Sequence, residues 1–83
     1  MDISKYEKIW SNNDWSDADI FIYRNRETGL YRGEVYIEMG LQGRLVAERE
    51  GPLDEIVKDL DDDINRIQYD LGAAAKAMRK RFR

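Results

Sequence analysis

The side chains able to do chemistry in this sequence fall into three groups. The first is the acidic run Asp54, Glu55, Asp59, Asp61, Asp62, Asp63 and Asp70. Asp59 stands three and four residues before Asp62 and Asp63, so a helix here puts paired carboxylates on one face. Such a pair can hold Mg²⁺ or Ca²⁺ loosely, but no loop of calcium-binding spacing accompanies it. Glycosidase-type carboxylates must flank a cleft, and a chain this short has little material for one. The readings that remain are a solvated helix start and a docking face for a basic partner. The second group is the basic end, Lys76, Arg79, Lys80, Arg81 and Arg83. Lys76, Arg79, Lys80 and Arg83 share one helical face, a stripe that can lie along phosphates or against an acidic protein surface. The third is aromatic: Phe21, Tyr23 and Tyr36 fall together on one side of the predicted sheet. Aromatic side chains on an open sheet can stack bases or anchor a protein partner. Glu34 and Glu38 on the same side would repel phosphates.

Composition excludes more than it suggests. The chain has 83 residues, 17 acidic and 14 basic, with no Cys, no His and one Pro. Without Cys there is no disulfide framework, thiol nucleophile or redox motif. Without His as well, the usual zinc sites and Ser-His-Asp triads disappear. The expectation is a non-enzyme that needs no cofactor or metal. No stretch reads as a signal peptide or a membrane span, and the expected location is the cytoplasm. The length implies one domain over residues 1–83 with a thin core.

The elements that position these groups follow from periodicity. Ile3, Tyr6 and Trp10 stand at i, i+3, i+7, which predicts a short N-terminal helix capped by Asp2 or Ser4 and stopped at Ser11-Asn12-Asn13-Asp14. Trp15 follows as a lid over the core. Three antiparallel strands are predicted next: Asp19–Arg24, Leu30–Met39 and Arg44–Glu50, joined by Asn25-Arg26-Glu27-Thr28-Gly29 and Gly40-Leu41-Gln42-Gly43. Alternation sends Ile20, Ile22, Val35, Ile37 and Met39 to the core face. Phe21, Tyr23 and Tyr36 go to the other face, where Trp10 and Trp15 are available to cover them.

From Gly51-Pro52 to Phe82 the pattern is helical. Val57, Leu60, Ile64, Ile67, Leu71, Ala74 and Met78 repeat at alternating spacings of three and four. Unbroken, this helix would span about 46 Å, against about 23 Å for a strand of seven residues. The repeat runs without a phase change, so the expectation is one continuous or gently bent helix. Asp61-Asp62-Asp63 and Gly72 are the places where it would bend or split. The excess length asks for a covering surface: a second copy of the helix in a homodimer, the N-terminal helix, or a foreign partner approaching over Gly72 and Ala73 to Ala75. Charge is segregated along it. Residues 52–71 carry seven acidic and two basic side chains, and residues 72–83 carry five basic and none acidic.

The resulting α+β order, α-β-β-β-α, resembles the layout of double-stranded-RNA-binding domains. Where that family presents lysines at the start of the last helix, this chain has Gly51-Pro52-Leu53-Asp54-Glu55. Carboxylates there oppose phosphate binding, so no binding residue carries over. The chain also resembles the small acidic phage proteins that inhibit host defence, the anti-CRISPR type, in size, acidity and the strand-strand-strand-helix order from Ile20 to Leu71. That resemblance implies a non-catalytic inhibitor that blocks a protein complex, such as a nucleic-acid-binding defence complex, by steric and electrostatic occlusion in the host cytoplasm. Its contact candidates are the acidic face Asp54, Glu55, Asp59, Asp62 and Asp63 and the aromatic face Phe21, Tyr23 and Tyr36. The alternative is a small dimeric nucleic-acid-binding regulator using Lys76, Arg79, Lys80 and Arg83.

Overall fold

The computed structural model describes residues 3–12, 18–39, 42–66 and 72–82. A short 3-10 turn, Ile3–Lys5, leads into four strands, β1 (Tyr6–Ser11), β2 (Ala18–Asn25), β3 (Tyr31–Met39) and β4 (Gln42–Gly51). Two helices follow, α1 (Leu53–Arg66) and α2 (Gly72–Phe82). The strands form one antiparallel meander in the order β1-β2-β3-β4. Both helices pack on one face of it, α1 against β3 and β4 and α2 against β2 and α1.

Period-two alternation builds the core. Ala18, Ile20 and Ile22 of β2 and Val35 and Ile37 of β3 are buried under Ile56, Val57, Leu60 and Ile64 of α1 and Ala74, Ala75 and Met78 of α2. Gly33 sits on this same face of β3, and the Leu60 side chain lies where a Cβ would be. The missing side chain thus lets α1 approach the sheet. Each edge strand carries a register shift, at Lys8/Trp10 in β1 and opposite Val35/Tyr36 in β4. Bulges of this kind twist an edge away from further pairing.

Among the described residues, the expected three strands and N-terminal helix are corrected to four strands preceded by a single 3-10 turn. The helical stripe is dismantled: Ile3 is 76% exposed, Trp10 packs against the core, and Tyr6 stands on the opposite face of the sheet. A segment this short is below the ~12–15 residues at which an isolated helix becomes even marginal. The free edge of β2 instead offers paired hydrogen bonds for its aromatic and β-branched residues. Asn12 fastens the junction, donating to the Ala18 carbonyl at 2.9 Å and accepting from the Ile20 amide at 2.6 Å. The order β-β-β-β-α-α also removes the layout resemblance to double-stranded-RNA-binding domains. Trp15 lies outside the described residues.

The β2–β3 turn forms as its residues suggest. Asn25 Oδ1 accepts from the amides of Glu27 and Thr28, and Gly29 takes φ 75°. Pro52 precedes α1 and its carbonyl accepts the Ile56 amide, the first helical bond, where its own missing N–H costs nothing.

The long C-terminal helix is two helices. α1 runs through Asp61-Asp62-Asp63 unbroken to Arg66, so no helix end falls there. α1 ends at Arg66 and α2 begins at Gly72; residues 67–71, with the expected stripe members Ile67 and Leu71, lie outside the described residues. The two helices then share one sheet face. Ala74, Ala75 and Met78 are buried within the chain, and Phe82 meets Trp10 edge-on at 5.5 Å. Of the surface expected to admit a foreign or identical helix, Ala74 and Ala75 are covered within the chain, with α2 packed on β2 and α1.

Candidate protein-binding face

The acidic residues of α1 divide by helical angle. Asp54, Glu55 and Asp62 are exposed, and Asp59 is half-buried on the side toward β4. Asp63 is engaged: both its oxygens accept from Arg49 of β4, at 2.8 and 2.7 Å, with Arg66 at 3.9 Å. Hydrogen bonding to Asp63, and then its charge, raise the Arg49 pKa above the ordinary arginine value, with Asp59 and Asp62 adding to it. A shallow cleft beside this pair is lined by Val46, Ala47, Glu48, Arg49, Asp63 and Arg66; Asp63 there is bonded to Arg49 and Glu48 to Arg32. Asp61, 9% exposed, accepts from Arg79 of α2 at 2.9 Å. Asp70 lies outside the described residues. Among the described residues no acidic group has the arrangement of a metal site.

The basic stripe is likewise divided. Arg79 is turned inward to Asp61, Lys76 and Lys80 are exposed, and Arg83 lies outside the described residues. Arg81 lies over the Phe82 ring at 5.1 Å. Replacing Arg79 with Met should destabilise the protein by about 1–2 kcal/mol, the worth of a charge-assisted bond partly open to water. Lys76→Ala should stay within about 0.5 kcal/mol. Urea unfolding of the two variants separates a structural arginine from a surface one.

The third group comes together. Phe21, Tyr23 and Tyr36 occupy the sheet face opposite both helices, and Tyr6 of β1 joins them. Phe21 stacks on Tyr23 (6.3 Å, 24°) and meets Tyr36 edge-on (5.7 Å, 77°). Tyr6 meets Tyr23 edge-on at 6.5 Å. The result is one continuous row of four rings across three strands, extended to β4 by Leu45, which pairs with Tyr36 and is 40% exposed. Lys8, opposite Tyr23 in register, holds its ammonium 5.9 Å from the Phe21 ring centre. Trp10 does not cover this face, because the β1 bulge turns it to the core side.

A charged network borders the rings. Arg32 bonds Glu34 at 3.2 Å and Glu48 at 2.6 Å, with Glu50 at 3.7 Å. Tyr36 Oη donates to Glu34 at 3.3 Å and Tyr6 Oη to Glu50 at 3.1 Å. Burial works against the Arg32 cation, but bonding to Glu34 and the charges of Glu34 and Glu48 outweigh it and raise its pKa. Burial, then the negative charge of Glu34, raise the phenols of Tyr23 and Tyr36 above 10.0.

That direction has a consequence at alkaline pH. Unfolded tyrosines ionise near pH 10, while folded Tyr23 and Tyr36 keep their protons. The unfolded chain then binds fewer protons than the folded one, so stability falls as pH rises. The contribution is intact below about pH 10 and is lost as pH climbs through the raised folded values. Phenolate absorbance should show a late-titrating class, and Glu34→Gln should move part of it earlier.

Reading the N-terminal segment as a helix concealed Tyr6 and Lys8. Strand alternation would have placed both on this face. Arg32, Glu48 and Glu50 were legible by parity with Glu34, but their convergence depends on the β3–β4 register. Compared with known proteins, the chain matches no family model, no curated protein and no solved structure.

Proposed function

We propose that this chain is a non-catalytic binding protein whose open sheet face docks a protein partner and blocks it by covering it. The observation that carries this reading is the row Tyr6, Tyr23, Phe21, Tyr36 and Leu45 on a face that neither helix covers. The four rings are half-buried and Leu45 is exposed; aromatic anchors dominate protein interfaces, because they remove much apolar area from water with few rotamers to freeze. Such patches on small proteins mark interaction sites. Small size, acidity and a sheet-and-helix architecture support an inhibitor of the phage-encoded anti-CRISPR type, acting in the host cytoplasm on a defence complex.

The acidic side of α1 and the aromatic face lie on opposite sides of the sheet. One flat partner surface cannot cover both, so the two contact candidates are competing sites. The aromatic face is preferred because its rings form one continuous row, whereas Asp63 of the acidic face is already bonded to Arg49.

A photo-crosslinking side chain placed at Phe21, and separately at exposed Lys58 of α1, tests the reading in the source cell or its host. A discrete protein adduct is expected at position 21 and none at 58, and Tyr36→Ser should remove it. Adducts at 58 alone would move the interface to the helix side and end the proposal.

A further inference from the structure

We propose that the occupant of the open sheet face is an arginine- or lysine-bearing segment of a protein, held by its cations between the tyrosine and phenylalanine rings and the glutamates of β3 and β4. This rests on the protein-docking reading of that face and names the chemistry of the partner.

Three observations converge on it. The first is charge. Described side chains on this face comprise four acids, Asp19, Glu34, Glu48 and Glu50, and two bases, Lys8 and Arg32. Arg32 alone serves three of the carboxylates, so the network carries an excess of negative charge. Glu48 and Glu50 keep 52% and 43% of their side-chain surface in water, leaving lone pairs available to a further donor. Guanidinium groups match carboxylates in geometry as well as charge.

The second is the rings. Aromatic faces attract cations through their quadrupole, and Phe21 already has the Lys8 ammonium 5.9 Å from its centre. The face thus carries an internal example of the contact an incoming Arg or Lys would make. Tyr23 and Tyr36 keep their phenols neutral to high pH, so they add no charge of their own at neutral pH.

The third is what the face disfavours. A second copy would bring two net-negative networks together, and like charges set against each other across an interface repel. A nucleic acid stacking on these rings would set its phosphates beside Glu34, Glu48 and Glu50. A cationic protein segment satisfies both parts of the surface.

The test uses the isotope-labelled full chain and three short peptides of equal length, with arginine, glutamate or serine at alternate positions. The arginine peptide should shift the amides around Phe21, Tyr23, Tyr36 and Glu48, at least about tenfold more tightly than the serine peptide. High salt should weaken it by a similar factor. Glu48→Lys with Glu50→Lys should abolish the preference, and Glu48→Gln with Glu50→Gln should reduce it without new charge. Equal affinity for the arginine and serine peptides would overturn the proposal, as would shifts confined to Asp54, Glu55, Asp59 and Asp62 of α1. The adduct at position 21 separates the two levels of the reading. If it survives the charge reversal, the face docks a partner but not a basic one. If it never forms, docking itself fails.

Discussion

Leu60→Ala should lower the free energy of unfolding by about 2–5 kcal/mol, the usual cost of removing a large buried side chain. For a chain of 83 residues that is a large part of the whole, since stability runs at roughly 0.05–0.15 kcal/mol per residue. Leu60 is fully buried and stands over Gly33, where the sheet has no side chain. The same contact predicts a second cost. A methyl group at position 33 would overlap Leu60 Cδ1 and lie 3.3 Å from Leu60 Cγ and 3.4 Å from Ile22 Cδ1. Gly33→Ala should therefore cost about 1–3 kcal/mol by overpacking. The two effects must not add. With Leu60 shortened, the methyl at 33 fills part of the cavity, so the double variant should be no less stable than Leu60→Ala alone. Urea unfolding of the three variants measures the coupling. Additive costs would mean that α1 does not rest on Gly33.

The second large effect sits on the open face. Arg32→Met should destabilise the protein by about 2–3 kcal/mol at neutral pH, because it leaves Glu34 buried without its cation and beside two further carboxylates. This falls below the cost for a fully interior pair because Glu48 and Glu50 remain in contact with water. Glu34→Gln in the same chain should recover most of the loss by removing the charge that Arg32 had balanced. Thermal unfolding of the four combinations closes the cycle. Recovery would establish an electrostatic role for Arg32, and its absence would point to the packing of its methylene stem against the rings. The binding face and the stability of the sheet are coupled through this one residue, so a variant meant to test binding must leave Arg32 in place.

Where sequence and structure agree, the signal was strictly local. Alternation in Ile20 to Tyr23 and Val35 to Ile37 assigned every one of those side chains to its observed face. The Asn25 to Gly29 turn formed because an Asn side chain can bond amides just ahead of it and a Gly can take positive φ. The departure at the N-terminus has the opposite origin. Ile3, Tyr6 and Trp10 fit a helical stripe and a bulged strand about equally well. The difference in local preference over so few residues is small beside the hydrogen bonds and ring contacts offered by the free edge of β2.

The candidate face shows the same division. Phe21, Tyr23 and Tyr36 were placed together by parity alone, whereas Tyr6 and Lys8 joined them only once β1 paired with β2. The acidic and basic runs were legible as runs, but their partners were not. Asp63 finds Arg49 across the gap from α1 to β4, and Asp61 finds Arg79 eighteen residues further along the chain. Both pairings turn expected contact residues into internal ties.

By itself the sequence determined the exclusions that follow from lacking Cys and His, the alternation of the central strands and the helical period of the C-terminal third. Tertiary structure alone decided that the N-terminal segment is a fourth strand and that the helical stripe supplies two helices, α1 and α2, packed on one sheet face. It also decided that, among the described residues, neither helix covers the sheet face that carries the rings and Glu34, Glu48 and Glu50. The reason is one of range. Side-chain periodicity acts over a few residues and is written in the chain, while the choice of partner surface depends on which edges and apolar faces remain uncovered after the other elements have packed.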